Sequence, residues 1–144
     1  MHIQSRPLLP ILSLLRLPYV DSPRPQAGFP SPATDYVETT LDLHDLLVQN
    51  PIATFYLRVQ GDSMVDALIF DNDVLVVDRS RKPVRGTIVI ATIQDDLLVK
   101  EFSFVDGRPA LVSRNLARAK DYPPILFNED AEIWGVVLGS VRKF

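Results

Sequence analysis

The sequence predicts a mainly β protein: a compact antiparallel β domain with one short helix, preceded by an extended proline-rich N-terminal arm. Short segments rich in alternating or β-branched apolar residues follow residue 50, and turn residues separate them. Seven of the 12 prolines lie within the first 32 residues. Because proline lacks a backbone donor and disfavours helix before it, we expect an extended, mobile arm over residues 1–34 and the β domain over residues 35–144.

The elements of the domain are predicted from local spacing. Leucines at i, i+3 and i+4 from Leu43 predict the one helix, with Thr40 or Asp42 as its N-cap and Asn50-Pro51 ending it. Apolar alternation and bounding turns predict the strands. In chain order these are Thr54–Val59, Val74–Val77, Thr87–Ile93, Leu97–Val105, Ala110–Ser113 and Glu132–Val141.

Composition excludes several classes of site. The chain has no cysteine, which excludes a disulfide scaffold, a thiol nucleophile and a thiolate metal site. Its two histidines are too few for a histidine-based metal cluster, and we expect no metal and no cofactor. A net charge of -3 does not indicate a direct nucleic-acid interface. The apolar stretch at residues 8–15 is interrupted by Pro10 and closed by Arg16, so we expect no membrane span. The absence of cysteine suits a reducing cytosol, and we expect a cytoplasmic protein.

A serine lies at the end of the first predicted strand of the domain. Gly61-Asp62-Ser63-Met64 follows that strand directly, and a serine beside a glycine at such a junction can present its hydroxyl with backbone amides facing an oxyanion. An ordinary polar turn has the same composition. Both interpretations stay open from this motif alone.

A lysine occupies an apolar face of the fourth predicted strand of the domain. Alternation places Lys100 between Leu98 and Phe102, where an unpaired ammonium costs several kcal/mol to bury. The long stem can carry the charge to water, or the amine can stay desolvated with a lowered pKa and act as a general base. If Ser63 is a nucleophile, Lys100 is the best candidate for its base, since no histidine is placed to form a triad.

Three blocks in order carry a resemblance to a known family. They are residues 27–38, Gly61–Met64 with Asp71–Asp73, and Val99-Lys100. Over about residues 25–144 the chain resembles the LexA-like self-cleaving Ser-Lys peptidases (peptidase S24), and within them the UmuD-like proteins of SOS mutagenesis.

The resemblance implies a role for each matching position. Ser63 would be the nucleophile and Lys100 the general base, and the bond between Ala27 and Gly28 would be cleaved. The backbone amides of Asp62 and Ser63 would form the oxyanion hole. The fold implied is the LexA/signal-peptidase-like β domain, and the family pairs as a homodimer.

The resemblance also implies partners. A RecA filament on single-stranded DNA would stimulate self-cleavage, and the shortened form would join a Y-family, UmuC-like polymerase to make the translesion enzyme polymerase V. One alternative is a catalytically silent interaction or regulatory module of the same fold. The other is a LexA-like transcriptional regulator, which would need an N-terminal DNA-binding domain and a basic face, and the sequence predicts neither.

Overall fold

The computed structural model describes residues 1–3, 16–20 and 38–144. The chain divides into two compact units, of which one contains described residues 1–3 and 50–144 and the other contains described residues 16–20 and 38–49. The expected cleavage site, Ala27 and Gly28, lies outside the described residues, as does most of the expected arm.

The smaller unit contains a two-stranded sheet and the predicted helix. Strands β2 (Leu17–Val20) and β3 (Glu38–Leu41) pair antiparallel. Helix α1 (Leu43–Leu47) follows, and the Asp42 carboxylate accepts a hydrogen bond of 2.8 Å from the His44 N–H group. The predicted helix and its Asp42 N-cap are therefore confirmed.

The larger unit is built on one eight-stranded sheet, in the order β1-β4-β5-β10-β6-β7-β8-β9, with every neighbouring pair antiparallel. Its strands are β1 (His2–Ile3), β4 (Thr54–Gln60), β5 (Val74–Asp78), β6 (Ile88–Ile93), β7 (Asp96–Val105), β8 (Arg108–Val112), β9 (Ile125–Leu126) and β10 (Ala131–Val141). Three short 3-10 helices lie at Pro51–Ala53, Val65–Ala67 and Leu116–Arg118. The mainly antiparallel β fold predicted from the sequence is confirmed.

Strand β1 closes part of this sheet into a ring. It pairs antiparallel with β4 on one side and with β7 on the other, with His2 opposite both Gln60 and Leu98. The ring therefore runs through β1, β4, β5, β10, β6 and β7. Because β1 pairs with both β4 and β7, it covers strand edges that would otherwise be unpaired.

Apolar side chains inside the larger unit form two clusters. The first contains, among others, the fully buried Leu57, Val59, Met64, Leu75, Ile90 and Val99. The second contains Val89, Ala91, Leu111 and Val136. Burial of such side chains contributes about 1.5–3 kcal/mol each, so β4 and β7 are held firmly where they meet the first cluster. Among the described residues, no helix is long and apolar enough to cross a bilayer.

Candidate active site

Ser63 lies in the connection that leaves strand β4. Gly61 begins this connection with a φ of +100°, a conformation that side chains disfavour, and its N–H group donates to the Asp71 carboxylate at 2.8 Å. The next residues enter the short helix Val65–Ala67. Ser63 is fully buried there, so its hydroxyl faces the interior of the larger unit and not solvent.

The far end of the same connection is anchored to the C-terminal part of the chain. Asp73 is fully buried, accepts a hydrogen bond of 2.9 Å from the Phe70 N–H group, and pairs with Arg142 at 2.6 Å. The Arg142 guanidinium holds the pKa of the Asp73 carboxyl below its usual value, although burial opposes this effect. Both ends of the segment that carries Ser63 are therefore tied by carboxylates.

Lys100 projects from strand β7 toward Ser63. Its side chain is 5% exposed, and its Nζ lies 3.2 Å from Ser63 Oγ and 2.8 Å from Ser113 Oγ. The ring of Tyr122 faces the same amine, with its centroid 5.5 Å from Nζ. Of the two interpretations that the sequence left open, the one in which the stem carries the charge to water is wrong.

Burial determines the protonation of this amine. Removing Lys100 from water lowers its pKa, and a hydrogen bond with the Met1 amino group opposes the shift. A neutral amine has a lone pair that can accept the Ser63 proton, whereas an ammonium has none. The site therefore favours the form of lysine that a general base requires.

A second amine occupies the site. Met1 is buried, and its amino group donates a hydrogen bond to Ser63 Oγ. Burial, followed by the nearby charge of Lys100, lowers the pKa of this amino group from 8.0 to about 5. The Met1 carbonyl also accepts a hydrogen bond of 2.9 Å from the Val99 N–H group, so strand β1 lies in the gap between the strands that lead to Ser63 and carry Lys100.

Asp62 has a side chain and a backbone with separate roles. Its carboxylate accepts hydrogen bonds from the Tyr122 hydroxyl and from Arg118 at 2.7 Å, and these partners lower its pKa. The carboxylate is thus engaged away from the dyad. Within the described ranges, the backbone N–H group of Ser63 donates no hydrogen bond.

A segment that the sequence reasoning missed contacts both halves of this site. Ser113 touches Lys100, the Arg114 N–H group donates to the Ser63 carbonyl at 2.8 Å, and Asn115 Nδ2 donates to the Asp62 carbonyl at 2.9 Å. The sequence predicted the strands Leu97–Val105 and Ala110–Ser113 but not their register. In the structure Val105 pairs with Arg108 across the two-residue turn Asp106-Gly107 and Glu101 pairs with Val112, so the next position, 113, lies opposite Lys100.

A buried lysine amine within hydrogen-bond reach of a serine hydroxyl is the arrangement of a Ser-Lys hydrolase, a variant of the serine triad. Groups of three metal-ligating side chains do not occur in the parts of the chain that the structure describes. The chain belongs to the Peptidase S24-like family, whose profile matches residues 18–138.

Individual relatives agree with this assignment. The chain is 46% identical over 121 residues to Protein MucA of Salmonella typhimurium, covering 82% of this chain and 80% of MucA. It is 47% identical over 122 residues to Protein ImpA of Shigella flexneri, covering 83% and 80%. It is also 42% identical over 117 residues to the LexA repressor of Acetivibrio thermocellus, covering 81% of this chain but 53% of the repressor.

These relatives confirm the resemblance to the UmuD-like branch. The chain is a UmuD-like member of a family of self-cleaving serine peptidases, and its relatives MucA and ImpA are UmuD-like proteins of SOS mutagenesis.

Proposed function

We propose that this chain cleaves its own Ala27–Gly28 bond, with Ser63 as nucleophile and Lys100 as general base. We further propose that a RecA filament on single-stranded DNA stimulates the cleavage. The shortened form, residues 28–144, then acts as the accessory subunit of a UmuC-like Y-family polymerase in translesion synthesis. The contact of 3.2 Å between the buried Lys100 amine and Ser63 Oγ carries the chemical part of this proposal.

The reaction divides into formation of an ester on Ser63, with two proton transfers, and hydrolysis of that ester. Neutral Lys100 takes the Ser63 hydroxyl proton while Oγ attacks the Ala27 carbonyl carbon, and the new C–O bond gives a tetrahedral oxyanion. The Ser63 N–H group, with that of Asp62, donates to the oxyanion. The C–N bond then breaks, and Lys100 returns the proton to the amino group of Gly28. Water hydrolyses the resulting ester, with Lys100 again acting as the base.

To reach Ser63, the cleavage segment would have to lie extended in the gap between β4 and β7. Strand β1 occupies that gap and pairs with both neighbours, which supports the idea that the gap accepts one extended strand. A cleavage segment would displace β1 and pair in its place. The small side chains of Ala27 and Gly28 let the backbone approach Ser63 closely.

Regulation then follows from competition and effective concentration. The substrate is tethered to the site, or to that of a dimer partner, so weak recognition is enough for cleavage. Two arrangements compete, one with the cleavage segment in the gap and one with β1 in the gap. An activator accelerates the reaction when its affinity for the first arrangement is higher than its affinity for the second. The RecA filament is proposed to act in this way, as a population shift without new chemistry.

The macromolecular partners are proposed from family membership. The matches to MucA and ImpA cover about four-fifths of the relatives and of this chain, which supports a shared assembly. We propose a homodimer of this chain as the form that engages the polymerase, in the cytoplasm of a bacterium.

Intact-mass spectrometry tests the proposal. The purified chain is incubated with RecA, single-stranded DNA and ATP, and the expected product begins at Gly28. Ser63→Ala and Lys100→Ala should each remain intact, whereas Ser103→Ala, a half-buried serine on the strand of Lys100, should cleave like the wild type. Cleavage at another bond, or cleavage that persists in Ser63→Ala, would refute the assigned chemistry. An intact wild type under every condition would indicate a catalytically silent module.

A further inference from the structure

We propose that Ser113 is a positioning residue of the dyad, holding the Lys100 amine in the orientation that accepts the Ser63 proton. The segment Ser113–Asn115 thereby fixes base and nucleophile relative to each other. This inference rests on the proposed self-cleavage and deepens it.

Three consecutive residues reach three parts of the site. Lys100 Nζ donates to Ser113 Oγ at 2.8 Å, a shorter contact than its 3.2 Å to Ser63 Oγ. The next two residues hold the nucleophile's backbone, since Arg114 donates to the Ser63 carbonyl and Asn115 to the Asp62 carbonyl. A displacement of this segment would therefore move both members of the dyad.

The segment is itself held by charged groups. The Arg114 guanidinium pairs with Glu101, with Nε 2.6 Å from one carboxylate oxygen and Nη2 bonded to the other. Glu101 is 8% exposed and directly follows Lys100 on β7. Beyond it, Asn115 Oδ1 accepts a hydrogen bond of 3.2 Å from the Arg118 N–H group. A fixed Ser113 can orient a flexible lysine, whereas a mobile serine could not.

The orientation of the Lys100 amine matters because a neutral amine can accept a proton in one direction only. Such an amine has two N–H donors and a single lone pair, and only the lone pair can take a proton. When one N–H group donates to Ser113, fewer rotations about the Cε–Nζ bond remain, and the lone pair can face Ser63. The other groups facing Nζ are the Met1 amino group and the Tyr122 ring. Ser113 touches the base, so it acts through Lys100.

Self-cleavage rates give the first test. Ser113→Ala should lower the first-order rate about tenfold, the effect of losing one well-placed hydrogen bond to the base. Ser113→Thr keeps the hydroxyl and should restore most of the rate, and Ser103→Ala serves as the matched control. Thermal unfolding of each variant reports stability separately. An unchanged rate in Ser113→Ala would overturn the proposal.

A titration that needs no cleavage gives the second test. In the Ser63→Ala background, NMR of Lys100 labelled at Cε follows its protonation with Ser113 present and with Ser113→Ala. Losing an acceptor of the ammonium should lower the Lys100 pKa, which a merely structural loss of stability would not do. An unchanged or raised pKa would overturn the positioning role. A wild type that does not cleave would refute the proposed function, while this titration would still decide the role of Ser113.

Discussion

Replacing Lys100 by methionine should have opposite effects on self-cleavage and on stability. Cleavage needs the Lys100 amine, whereas folding must remove this amine from water at a cost in free energy. Lys100 is almost fully buried, and burial lowers its pKa in the folded chain from 10.5. Methionine has a similar length and no charge, so it can occupy the same space. We expect Lys100→Met to abolish self-cleavage and to raise the free energy of unfolding at neutral pH.

The size of the effect follows from proton linkage. Between the folded pKa of Lys100 and 10.5, the unfolded chain binds a proton that the folded chain does not. The wild-type free energy of unfolding therefore rises with pH by up to about 1.4 kcal/mol per unit in this window. The variant lacks this contribution, so its advantage is largest at low pH and shrinks as the pH approaches 10.5. The Met1 amino group has a pKa of about 5 when folded and 8.0 when unfolded, so measurements above pH 8.0 exclude its contribution. The hydrogen bond to Asp62 raises the pKa of Tyr122 from 10.0, so the comparison uses the difference between variant and wild type, in which Tyr122 is common to both.

Urea unfolding of the wild type, Lys100→Met and Lys120→Met at several pH values above 8 measures this difference. Lys120 is exposed, so its variant controls for the loss of a lysine as such. The curve of Lys100→Met should converge on that of the wild type as the pH rises. A constant separation that matches the exposed control would refute the argument that Lys100 is a desolvated amine.

Three further predictions concern an ion pair, a close packing contact and the pairing of β1 in the larger unit. Arg142→Ala should lower the urea midpoint because it leaves the buried Asp73 unpaired, and this loss should fade as the pH falls below 3.8 toward the lowered pKa of Asp73; an unchanged midpoint at neutral pH would contradict it. Gly135→Ala should cost about 1–3 kcal/mol in the same assay, since the new Cβ would lie 2.6 Å from Val77 Cγ1; an unchanged midpoint would show that the strands yield easily. His2→Pro removes an N–H group from β1 and should speed self-cleavage about three- to tenfold by weakening the competing strand; a slower reaction would mean that β1 does not compete.

The strands of the domain could be predicted from the sequence because their signals are local. Alternation predicted Leu97–Val105, and the structure gives Asp96–Val105; the apolar run Val74–Val77 extends by one residue to Asp78. Strands β1 and β9 could not be predicted in the same way. Each has two residues, too few for a period, and β1 exists only through pairing with strands more than 50 residues away.

The site was predictable in part. The alternation of β7 placed Lys100 among apolar neighbours, but its partner Ser63 is 37 positions away, so local sequence could not decide between a buried base and a stem reaching water. The Ser113 contact follows from the register between β7 and β8, which the predicted strand bounds alone did not determine. The hydrogen bond from the Met1 amino group to Ser63 depends on the pairing of β1 with β4 and β7, which no local sequence pattern indicates.

The dependence of self-cleavage on pH shows whether the neutral amine of Lys100 is the base. If neutral Lys100 takes the Ser63 proton, the first-order rate of formation of the Gly28 species should rise with pH as that amine loses its proton, then level off. The midpoint should coincide with the Lys100 titration measured by NMR in Ser63→Ala. A rate that does not change across that titration, or one that is fastest while Lys100 is protonated, would exclude neutral Lys100 as the general base.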